Sequence, residues 1–232
     1  MKHVFGAIAT SACLLAAPAA QAALITSSLG NTASGFLDGD IPSLFAISPV
    51  QSGQAAPFDA ALGNEAGLAG SNAAGSWTHM FGAISDPIVS ASLEIGLIDH
   101  DSQASGDQVA LFSVDGVALT TEMNLLLEGH GGATAEFNTY SIDLTALAAS
   151  FADGSADITL NLQGPGLTPC LFGCTTPVVE TAFNAAYYIF ATLTIQTRDT
   201  PPPPNGVPEP TSLALLGLGM GALAWRRKRR TA

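Results

Sequence analysis

The sequence predicts a mainly β protein: an antiparallel β-sandwich of jelly-roll type with one short helix, plus an N-terminal signal helix and a C-terminal transmembrane helix. Three observations carry this. Segments such as Ile88 to Ile98 alternate apolar and polar residues with period two, the mark of strands with one buried face. At least seven such segments recur at short intervals, separated by Gly, Asp and Pro. Charged residues make up only 11 % of the 232-residue chain, while Gly (24) and Pro (14) are plentiful. That composition suits an exported, loop-rich β protein better than a cytosolic enzyme.

The elements follow in order. Leu24-Ile25-Thr26 reads as a first strand, and Leu44 to Ile47 as another, stopped by Pro49. Residues 52–74 are rich in Ala, Gly, Asn and Ser and read as a long loop. Ser76 to Phe81 places Trp77, His79 and Phe81 on one side. Ile88 to Ile98 buries Ala91, Leu93, Ile95 and Leu97 and wets Ser90, Ser92 and Glu94. Val109 to Val114 leads into Asp115-Gly116 and then Val117 to Thr120. An Asp-Gly pair between apolar runs is a hairpin signal, because both residues tolerate positive φ. Thr134 to Leu144 is a strand around Phe137, Tyr140 and Ile142. Leu144, Leu147, Ala148 and Phe151 then show helical spacing, closed by Asp153-Gly154, and predict a two-turn helix. Ala156 to Leu162 and Tyr187 to Thr197 alternate again. Four prolines within residues 200–206 form a stiff, extended spacer. The body is thus the domain 23–199.

Charge separates the chain into regions. The stretch from Ala23 to Val207 holds eighteen of the nineteen acids and a single basic residue, Arg198, a net charge of −17. Such a surface repels phosphate, which excludes nucleic acid as a partner. It reads either as a solubilising acidic surface or as one that gathers divalent cations.

Within the body, the run Asp99-His100-Asp101 followed by Gly106-Asp107 lies between two strong strands. Asp99, Asp101 and Asp107 offer oxygen ligands of the kind a structural calcium takes. The spacing is not that of an EF-hand, and Asp and Gly also serve ordinary turn geometry. Cys170 and Cys174 read as a disulfide closing a short loop in an oxidising compartment. His79 reads as a packed residue beside Trp77, and His130, in GHGG, as a turn residue. No GxSxG, P-loop, GxGxxG or HExxH pattern occurs. No catalytic residues and no required cofactor are therefore assigned.

The two ends are the most specific parts of the sequence. Lys2 and His3 precede the apolar run Val4 to Ala17, and Ala20-Gln21-Ala22 follows. This reads as a secretory signal peptide over 1–22, cleaved between Ala22 and Ala23. At the other end, Thr211 to Trp225 is an uncharged apolar run. As a helix it is about 22 Å long, short of the roughly 30 Å hydrocarbon core but able to span with local thinning. Arg226, Arg227, Lys228, Arg229 and Arg230 follow it and place the C-terminus on the cytoplasmic side of the inner membrane.

Pro208, Glu209 and Pro210, the apolar helix and the basic stop stand in that order over 207–230. In this the chain resembles PEP-CTERM sorting-signal proteins of Gram-negative bacteria. The resemblance implies an exosortase, a membrane cysteine protease-transpeptidase, as partner. It also implies cleavage near Pro-Glu-Pro after transient anchoring in the inner membrane. Delivery would be to the cell surface or an exopolysaccharide matrix, and glycans are common on such proteins. The body's own function is not fixed by the resemblance. The expectation is a non-catalytic structural or interaction protein of the envelope or exopolysaccharide. The alternative is a secreted carbohydrate-binding module, calcium-stabilised, using Trp77, Tyr187 and Tyr188.

Overall fold

The structure is a computed structural model that describes residues 23–65, 70–98, 100–130, 132, 134–169 and 178–198. The chain divides into two compact units, Met1–Asp199 and Thr200–Ala232. The signal-peptide residues through Ala22, the cysteine pair, Asp99, the proline spacer and the entire C-terminal sorting segment lie outside the described residues.

Eleven strands are described, mainly antiparallel: β1 (Leu24–Gly30), β2 (Ala61–Leu62), β3 (Ala74–Met80), β4 (Ile88–Ile98), β5 (Val109–Val114), β6 (Val117–Ala118), β7 (Phe137–Asp143), β8 (Ser155–Leu162), β9 (Gly166–Pro169), β10 (Val178–Thr181) and β11 (Ala186–Thr197). One sheet has the order β1-β11-β4-β7, with β2 added to β11. A second has the order β3-β8-β5-β6, and β9 and β10 form a separate ribbon. The inner faces of the two large sheets share one core. Leu93, Ile95, Leu97, Leu193 and Ile195 of the first meet Phe112, Val114, Ile158 and Leu160 of the second. Period-two alternation produces this directly: each strand turns every second side chain to the same side.

Polar side chains also cross between the sheets. The Tyr188 hydroxyl, on β11, donates to the carbonyl of Leu160 on β8 at 2.8 Å. Trp77 packs edge-on against Phe58 and Tyr188, with ring centroids 5.4 and 6.0 Å apart. The hairpin from β5 to β6 turns at Asp115 and Gly116, with φ of +48° and +75°, as an Asp-Gly turn requires.

The helices differ from expectation. The segment 44–47 is not a strand but the start of α1 (Leu44–Gln51), with Pro49 inside it. Ile47, Val50 and Gln51 are its buried residues, and Ile47 and Val50 pack on Ile98, Phe137, Ile189 and Phe190 at the outer side of the first sheet. A β-bulge in β11 prepares that seat: Ile189 and Phe190 together oppose Gly96 of β4. Packing there outweighs the one helical hydrogen bond that Pro49 forgoes.

A second helix, α2 (Thr120–His130), stands where the sequence reading ended a strand at Thr120. The amide of its Asn124 accepts from Val109 N–H at 2.8 Å and donates to the Val109 carbonyl at 3.1 Å, completing the start of β5. The helix expected over 144–151 is instead two 3-10 turns, Thr145–Leu147 and Ser150–Asp153, the second closed by Gly154 at φ +93°. Leu144 N–H is held by the Ala91 carbonyl at 2.8 Å, so the chain is still tied to β4 where an α-helix would have to begin. Among the described residues, no helix is long and apolar enough to cross a membrane.

Candidate functional site

The polar chemistry of the body collects at one end, where β4 and β8 finish and β5, β7 and β11 begin. Asp101 is its centre. It has no exposed surface and a left-handed backbone, φ +51°, a conformation Asp tolerates better than most residues. Its carboxylate accepts from Leu167 N–H at 2.8 Å and from the Thr134 hydroxyl at 3.3 Å. It also hydrogen-bonds the carboxyl of Glu65. Burial holds the Asp101 carboxyl above the ordinary carboxylate range, and the bonds from Glu65, Leu167 and Thr134 only partly oppose this. Glu65 accepts from Ala185 N–H at 2.8 Å. Asn184, fully buried, donates from its side chain to the His100 carbonyl at 2.9 Å.

His100 is buried beside this pair. Its Nε2 is hydrogen-bonded to the Tyr140 hydroxyl, and the two rings meet edge to face, centroids 5.2 Å apart. Burial, aided by the nearby His130 and opposed by Asp38, pushes the imidazole down to about 3, so it is neutral. His130 lies on the other side of Tyr140, centroids 5.5 Å apart, and pairs with Asp38 at 3.0 Å where both are partly exposed. Gly132 leaves the room His100 needs: a Cβ there would lie 2.5 Å from the ring's Cε1. His79 is elsewhere, in the core. It accepts from Trp77 Nε1 and pairs with Ser27 across the sheets, and burial lowers it to about 4.

Of the aspartates chosen as calcium ligands, Asp101 is buried and bonded as above. Asp107 is exposed, with its backbone carbonyl accepting from Gln163. Asp99 lies outside the described residues. Among the described residues, no three His, Cys, Asp or Glu side chains converge as a metal-binding group. Of the aromatics expected to stack on sugar, Trp77 and Tyr188 are in the core and Tyr187 is half-buried. The sequence reading missed Glu65. It lies in a Gly- and Ala-rich loop, 36 residues from its partner Asp101, and no local pattern joins the two.

The described residues thus define a mainly antiparallel β body with few helices, in which Asp101 and His100 are buried together among the loops at one end. Residues 206–230 match the family model described as the PEP-CTERM protein-sorting motif, which marks the chain as a PEP-CTERM protein. The motif implies export, exosortase processing and membrane-anchored sorting in Gram-negative bacteria. It covers the sorting signal and leaves the body unassigned. A search of the curated proteins finds no match. Among solved structures, the tobacco streak virus coat protein aligns at 13 % identity over 83 % of this chain and 95 % of that one, with a TM-score of 0.24. At that score the alignment carries no argument.

Proposed function

We propose that the protein is a non-catalytic structural or interaction component of the cell envelope or extracellular polysaccharide, released to the surface once an exosortase has processed its C-terminal segment. The sorting motif supports the route. For the body, the carrying observation is the outer face of the first sheet. Thr26, Thr194, Ser92 and Asp143 stand in one row across four strands, and Ser28, Thr192, Glu94 and Ser141 in the next. A grid of six hydroxyls and two carboxylates, without a basic side chain, exchanges hydrogen bonds with a hydroxyl-rich polymer. It offers nothing to an anionic one. The buried, neutral states of His79 and His100 favour a structural role over proton transfer.

The strand order supports the jelly-roll reading. The chain passes from sheet to sheet as β1, β3, β4, β5-β6, β7, β8 and β11, which interlocks two four-strand keys. The test is co-sedimentation of the processed protein with the producing organism's exopolysaccharide. Retention that falls when Thr192 and Thr194 are both changed to Lys supports the reading. Absence of retention, with an intact envelope and matrix in a deletion strain, overturns it.

A further inference from the structure

The last turn of α1 borders a cavity of about 410 Å³ on the outer side of the first sheet, a size within the range of small-molecule sites. Residues three and four apart share one side of a helix, and Ile47, Ser48, Gln51 and the capping Ser52 line the cavity from that side. Tyr187, the second residue of β11, lines it from the sheet. The short strand β2 supplies the remaining group. Its Ala61 pairs with Tyr187 in register, which delivers Asp59, two residues earlier, to the same cavity.

Gln51 carries a second, independent observation. Its side chain is only 6 % exposed, and the amide nitrogen, shut off from water, has no hydrogen-bond partner. A buried donor left unmet is costly, and folded proteins rarely keep one unless another molecule meets it. The last torsion of a glutamine is soft, so the amide can turn its N–H groups to an oxygen lodged in the cavity. The exposed Asp59 accepts hydrogen bonds, and the Ser48 and Ser52 hydroxyls donate and accept. Tyr187 packs against the outer cluster of Ile47 and Ile189 yet stays half-buried, which leaves part of it for an apolar face. One kind of molecule meets all these groups at once: a sugar residue, with hydroxyls around its rim and C–H groups on its face. No basic side chain is among the described residues that line the cavity, so nothing there holds a carboxylate or phosphate.

We propose that the cavity beside the last turn of α1 binds a single neutral sugar residue, held by Gln51, Asp59 and the two serines and packed on Tyr187. The inference rests on the proposed association with a hydroxyl-rich polymer and adds to it a pocket for one chain end or branch. The flat grid of the same sheet meets the polymer along its length.

The test uses the full-length protein in a sugar-free detergent, titrated with the methyl glycosides of glucose, galactose, mannose and N-acetylglucosamine. Saturation-transfer NMR and the glutamine side-chain amide signals are the readouts. At least one glycoside should bind with a dissociation constant of about 1–10 mM and shift the amide signal that disappears in Gln51→Leu. Asp59→Ala should weaken binding about tenfold, and Ser48→Trp, which plugs the cavity, should abolish it. Both positions are exposed, so these variants keep the fold. Changing Thr192 and Thr194 to Lys should leave glycoside binding intact while polymer retention falls, which separates failure of the pocket from failure of the broader reading. Binding by none of the four glycosides, or binding that survives Ser48→Trp, would overturn the proposal. A response to glucosamine alone would overturn it too, because the cavity would then select an ammonium group instead of hydroxyls.

Discussion

Trp77 and His79 lie two residues apart on the inner face of β3, and the indole N–H donates to the imidazole Nε2 at 3.2 Å. The other ring nitrogen, Nδ1, meets the Ser27 hydroxyl at 3.2 Å, on the opposite sheet. Accepting from Trp77 fixes the neutral tautomer with its proton on Nδ1. His79→Leu fills most of the volume but leaves the buried indole N–H without an acceptor. A loss of about 1–3 kcal/mol in urea-monitored stability is expected. Retention of wild-type stability would show that the bond contributes nothing net.

His79 and the buried His100 set a pH dependence. His79 and His100 are lowered from 6.5 to about 4 and about 3, so the unfolded chain binds protons before the folded one does. Their contribution is complete above pH 6.5 and is lost as pH falls towards the folded values. Each costs about 1.4 kcal/mol per pH unit in that window. Asp101, raised by burial, acts with the opposite sign and offsets part of the loss. Between pH 7 and 5, urea midpoints should fall for the wild type and fall less steeply for His79→Leu.

Asn124 has the clearest local role. Its amide closes both backbone groups of Val109 inside the protein. Asn124→Leu keeps the size and strands those two groups without partners. A loss of about 2–4 kcal/mol is expected, along with faster amide exchange in β5. Unchanged exchange at Val109 would refute the clamp.

Gly96 faces the Phe190 ring across the bulge, and a Cβ there would lie 2.5 Å from its Cε1 and 3.1 Å from a carbon of Phe137. Gly96→Ala should therefore cost about 1–3 kcal/mol by overpacking the seat of α1. Protease cleavage near Leu44–Gln51 is the readout, and it should accelerate.

The sorting segment predicts a processing phenotype. Replacing Glu209 by Ala, or Arg226 to Arg230 by Ser, should leave the precursor uncleaved in membrane fractions. Normal processing of both variants would count against exosortase recognition of this motif.

Most strands were legible because burial of one face imposes period two. Ile88–Ile98 was recovered to the residue, and Tyr187 to Thr197 to within one position. The Asp115-Gly116 turn was legible for the reason given by its two positive φ values. The helices were not. In α2 the buried residues are Met123, Asn124 and Leu127, while Leu125 is exposed, so its apolar run hides which side faces inward. In α1 the Pro argued for a stop, and only contact with Phe190 and Ile189, far along the chain, overrules it. The same distance concealed the site. Asp101 stood out as an acid in a loop, but Thr134 and Leu167, which bond its carboxylate, reach it only through the tertiary fold.

The pairing of β1 with β11 governs when this body can exist. Ser28 bonds Thr192 across 164 residues of sequence, and β11 is also the strand on which β4 pairs. The first sheet therefore has no middle until the last strand is available. A chain threaded through the membrane from its N-terminus crosses with β1 waiting, unpaired, for almost the whole transit. Closure comes only when Thr197 has emerged, with the proline spacer and sorting segment next in line. Completion of the first sheet therefore waits on the residues that stand just before the proline spacer and the sorting motif.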